Sequence, residues 1–147
     1  MSWERTHRRH ELLHAVLDEF ARSGRPDRLA AEIEAEFGGW AGFLQEVQLR
    51  WFRAFDARLD GVLEEWPADL HGALVRLWQE VAAAMPEHRR VLNAYAGYPA
   101  LAEPEDRHRR RLLAATGVRL DPIAPVEHRQ SRRCWRTLVT ASLGGTR

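Results

Sequence analysis

The 147-residue chain contains no lysine: all 22 of its basic residues are Arg. That excludes Schiff-base chemistry, a phosphate-loop Lys and a catalytic amine. A single Cys excludes an intramolecular disulfide framework and a Cys-rich zinc site. Uncharged apolar runs reach only a few residues, as at 81–86, so no membrane-spanning helix is expected. Residues 1–13 are charged and lack an apolar segment, so no secretory signal is expected. The expected location is the cytoplasm, where Cys134 stays reduced. No Asn-Gly or Asp-Gly turn joins two alternating runs, and Asp60-Gly61 falls within a helical pattern, so hairpins are not expected. The exchange of Lys for Arg, together with abundant Ala, is most simply a mark of GC-rich coding.

What is present suits one globular domain and is too short for two of typical size. Six Trp, five Phe and two Tyr join many Leu and Val to supply a core. The apolar residues recur at helical spacing. A first helix is expected over 3–22, with Leu12, Leu13, Val16, Leu17 and Phe20 on one face. A second begins at Pro26, carries Leu29, Ile33 and Phe37, and stops at Gly38-Gly39. The third and longest runs over 40–64. Trp40, Phe43, Leu44, Val47, Trp51, Phe55, Leu59 and Val62 keep three-and-four spacing along it, so it is expected to be central. A fourth starts at Pro67 with Leu70, Leu74, Leu77, Trp78, Val81 and Met85 inward. A short fifth opens at Pro86 and ends at Gly97. A sixth opens at Glu103-Pro104 and ends at Gly117. Short strands are conceivable only at 118–120 and 135–143, the latter equally well helix. The expectation is an all-α, single compact bundle of five or six helices over residues 1–117. An irregular basic C-terminal tail, 118–147, follows, either packed on the bundle or partly disordered.

Charge is unevenly spread. Residues 1–104 carry 12 Arg and 17 acidic residues, whereas 105–147 carry 10 Arg and 4 acidic residues. The net charge of +1 thus combines an acidic body with a basic end. Arg107, Arg110, Arg111, Arg132 and Arg133, with Trp135, are the candidate contacts for a partner or an anion, since guanidinium forks bind phosphate and carboxylate bidentately. Cys134, flanked by Arg133 and Arg136, is a candidate redox-sensitive thiol.

One short motif carries chemistry. His10-Glu11-Leu12-Leu13-His14 has the form H-E-x-x-H and resembles the helix signature of the zincin metallopeptidases. Two His one turn apart on a helix share a face, and a Glu beside the first can activate metal-bound water. The resemblance implies His10 and His14 as zinc ligands and Glu11 as general base. A third ligand would come from elsewhere, such as His71, His88 or His108. The competing reading takes His7, Glu11, His14 and Asp18 as a polar boundary stripe, with Glu11 towards solvent. Glu11/His14 and Glu105/His108 also resemble the E-x-x-H pairs of di-iron carboxylate bundles, with Glu46 and Glu80 as further carboxylates.

Three functional readings follow. The first is a non-enzymatic interaction or regulatory module with a protein partner or a second copy, needing no cofactor. The second is a zinc hydrolase built on residues 10–14. The third is a nucleic-acid binder acting through the Arg-rich sixth helix and tail.

Overall fold

The computed structural model describes residues 2–120. Six α-helices and one 3-10 turn make up its regular structure. Helix α1, Trp3–Ser23, is capped by the Ser2 side chain, which accepts from the Arg5 N–H. It ends at Gly24, whose N–H donates to the Phe20 carbonyl. Its buried stripe is Leu13, Val16, Leu17 and Phe20, as the periodicity requires.

The second helix starts later than Pro26. A 3-10 turn, Asp27–Leu29, comes first, and α2 is Ala30–Phe37. Pro26 sits at ψ 30° rather than at a helical value, so the first turn closes from Leu29 N–H to the Pro26 carbonyl. Gly38 and Gly39, both at positive φ, turn the chain sharply into α3, Trp40–Glu65. Gly42 permits the close approach of the two helices: a Cβ there would sit 1.9 Å from the Phe37 carbonyl oxygen.

With 26 residues, α3 is about 39 Å long and forms the spine. Phe43, Leu44, Val47, Trp51, Phe52, Phe55 and Leu59 are buried along it. Helices α2, α4 (Leu70–Ala84), α5 (Pro86–Ala94) and α6 (Pro99–Thr116) all pack against it, while α1 rests on α5 and α2. One apolar cluster draws on every helix. Helix α4 begins three residues after Pro67, because the Asp69 carboxylate caps it by accepting from the Gly72 N–H at 2.9 Å.

Helix α6 departs most from expectation. It begins at Pro99, so Pro104 lies inside it rather than at its start. An internal Pro removes the N–H that would reach the carbonyl four residues back. That carbonyl, of Ala100, instead accepts from Gln45 Nε2 at 3.0 Å. The next carbonyl, of Leu101, accepts from Gln48 Nε2 at 3.1 Å. Two glutamines of α3 thus carry α6 through its proline. These pairs, with His108 on Asp56 further along, show that α3 and α6 run in the same direction.

No strand occurs among the described residues. Residues 118–120 have no regular structure, and the Val118 N–H closes a local turn on Thr116 Oγ1. Val118 and Leu120 nevertheless pack against the core. The expected element at 135–143 lies outside the described residues. No helix among the described residues is long and apolar enough to cross a membrane.

Candidate functional site

Helices α1, α3 and α5 bring basic side chains together on one face. His10 and His14 sit one turn apart on α1, both exposed, with ring centroids 4.4 Å apart. From α5, the buried His88 ring lies 6.3 Å from that of His14. From α3, Arg50 Nη1 lies 2.9 Å from His10 Nδ1. A guanidinium only donates, so Nδ1 accepts and neutral His10 carries its proton on Nε2. Arg50 Nε donates to Glu46 at 3.1 Å, and Arg9 lies 3.6 Å from the other oxygen of that carboxylate. Arg9 is further held by the Glu36 carbonyl and by the Phe37 ring face.

Two of these imidazoles, His10 and His88, have little to stabilise a proton. Burial pushes His88 down to about 4, helped by the charges of His14 and Arg50 and opposed only by Glu87. His10 is also held below its ordinary value, by partial loss of water first and then by His14, Arg50 and His7.

Glu11 is exposed and points to His7, with Oε1 3.1 Å from His7 Nε2. The sequence motif therefore divides: its two histidines face Arg50 and His88, and its Glu faces solvent. The residues present do not fit a hydrolytic zinc centre. Arg50 occupies Nδ1 of His10, and the residue expected as general base is turned away. Among the described residues, no three His, Cys, Asp or Glu side chains are arranged to hold a metal ion. The two E-x-x-H pairs are also held apart. His108 is buried at the α3–α6 seam, stacked on Phe52 at 4.0 Å with Nε2 2.8 Å from Asp56 Oδ1. Glu105 accepts from Gln48, and Glu80 is exposed on α4.

Beside His88, Arg89 is clasped between two indoles. Its guanidinium carbon lies 4.9 Å from the Trp51 ring and 5.0 Å from that of Trp78, and its Nε donates to Asn93 Oδ1 at 2.7 Å. This clasp ties α5 to α3 and α4. Helical spacing marks Trp51 and Trp78 as inward residues, but nothing local marks Arg89 as their filling.

The Arg run of α6 is largely answered within its own helix. Arg107 pairs with Glu103 at 2.5 Å, and Arg109 lies 3.7 Å from both Glu105 and Asp106. Arg110 donates to the Asp106 carbonyl, and Arg111 is exposed. Arg132, Arg133, Cys134 and Trp135 lie outside the described residues.

Beside Pro104, a groove of about 510 Å³ opens between α3 and α6. Leu49, Phe52, Pro99, Ala100 and Pro104 supply its apolar lining, with Gln45 and Gln48 between them. Glu103 and Arg107, paired to each other, complete it. Among the described residues, Leu49 is one of few large apolar side chains left in water, at 41% exposure. Nothing local announces this groove, because it exists only where α6 meets α3. Comparison with protein-family models, curated proteins and solved structures finds no match to this chain.

Proposed function

We propose that the protein is a non-enzymatic helical interaction module whose contact face is the α3–α6 groove, and that its partner there is a second copy of the chain. The observation that carries this reading is Leu49, exposed at the edge of an apolar groove that it helps to line. Knob and hole on one patch are what a two-fold, isologous interface requires: Leu49 of each copy enters the groove of the other. The charges bordering the groove are mutually neutralised, so an apolar surface fits it better than a charged one.

Sedimentation equilibrium tests the reading. The expected result is a dimer at protein concentrations on the order of 10–100 μM. Leu49→Glu should return it to a monomer with unchanged helicity, because that side chain already meets water. A wild-type protein that stays monomeric over this range contradicts the reading.

A further inference from the structure

The face formed by α1, α3 and α5 lies outside the proposed contact groove. It gathers four basic groups, His10, His14, His88 and Arg50, around one nearby carboxylate that is already shared. Glu46 divides its two oxygens between Arg9 and Arg50. Of the other carboxylates in reach, Glu11 is drawn off by His7, and Glu87 acts on His88 only through space.

We propose that His10, His14, His88 and Arg50 form a binding site for a phosphate group. The donors decide the class of anion. Arg50 uses its Nε on Glu46 and one Nη1 proton on His10, leaving three of its five N–H groups. His10 keeps an Nε2–H, and the rings of His14 and His88 add further donors from α1 and α5. Donors on three helices outnumber what the two oxygens of a carboxylate can satisfy. The three terminal oxygens of a phosphate match them better. Access is open, since His10 and His14 are exposed. Loss of water first, and then the neighbouring positive charges, disfavour protons on His10 and His88; a bound anion would offset the second of these. Binding is therefore expected to be coupled to proton uptake.

Histidine Hε1 resonances, followed by NMR across pH in chloride and in inorganic phosphate at matched ionic strength, test the site. Phosphate should raise the titration midpoints of His10 and His88 by roughly 0.5–1 unit, saturably. The His71 resonance, on α4, serves as the reference and should not respond. Arg50→Gln should abolish the response, Arg50→Lys should keep part of it, and the exposed His14→Gln should weaken it without disturbing the fold. Phenyl phosphate in place of inorganic phosphate distinguishes an esterified ligand, which would bind more tightly, from the free ion. An equal response to acetate overturns the choice of phosphate. A shift that His71 shares means an adventitious ion only and overturns the site, as does a response that survives Arg50→Gln.

Discussion

His88 and His108 are equally buried, each 7% exposed, yet they sit in opposite electrostatic surroundings. His108 has a carboxylate at 2.8 Å and lies flat on Phe52. His88 faces His14 and Arg50, and no ion pair reaches it. The first is a clamp between α3 and α6 with each partner satisfied. The second is a neutral imidazole held among like charges. Two equally buried histidines thus differ in what faces them: His108 has a hydrogen-bond partner that fastens two helices, whereas His88 has positive neighbours that add to the cost of burial in keeping it neutral.

The largest effect should come from breaking the clamp. His108→Ala removes a stacked ring from a packed seam and leaves Asp56 without its partner. A loss of about 3 kcal/mol is expected from urea unfolding, reflecting the cavity and the lost hydrogen bond. Asp56→Ala should cost about 1 kcal/mol or less, because that carboxylate is 45% exposed and water replaces the imidazole. If the two variants prove equally destabilising, the hydrogen bond to Asp56 rather than the stack holds the seam.

The second effect reads His88 through pH. The folded-state value of His88, about 4, lies below the 6.5 of the unfolded chain. Between these values the unfolded chain binds a proton that the native protein refuses. Stability is therefore fullest above pH 6.5 and declines as pH falls towards 4. Unfolding free energy should drop by about 2 kcal/mol between pH 7.5 and 5 on account of His88. His88→Gln should remove most of that slope, leaving the smaller contribution of His10, which has the same sign. A slope unchanged in His88→Gln would mean that burial and the charges around it do not hold His88 neutral as described.

The same contrast explains what was legible in the sequence. The helices of the bundle follow from apolar spacing and from Gly and Pro punctuation, which are local signals. So does the solvent-facing position of Glu11, which rotation along α1 fixes. The neighbours of His10 and His14 are a different matter. His88 is one of several histidines the sequence offers as distant partners, and only the packing of α5 on α1 selects it. Arg50 and Glu46 stand off the main apolar stripe of α3 and carry no motif. His108 belongs to an E-x-x-H pair that looks like a ligand set, and its pairing with Asp56 spans 52 positions. The start of α6 at Pro99 departs from the local signal for the same reason. A Pro following Glu103 is a local start signal, whereas the donors that allow it inside a helix come from 55 positions away.

That last arrangement yields the smallest and most specific test. If Gln45 serves α6 chiefly by satisfying the Ala100 carbonyl, its value depends on Pro104. Gln45→Ala should cost about 1 kcal/mol in the wild-type chain, since the carbonyl then turns to water at a partly exposed position. Pro104→Ala restores the missing N–H and lets the Ala100 carbonyl accept within the helix. In that background Gln45→Ala should cost close to nothing, giving a coupling of about 1 kcal/mol in a double-mutant cycle. Additive losses would show that Gln45 contributes by packing instead. The polar fastening of the α3–α6 seam would then rest on Gln48, which donates to the Leu101 carbonyl and to Glu105, and on His108 with Asp56.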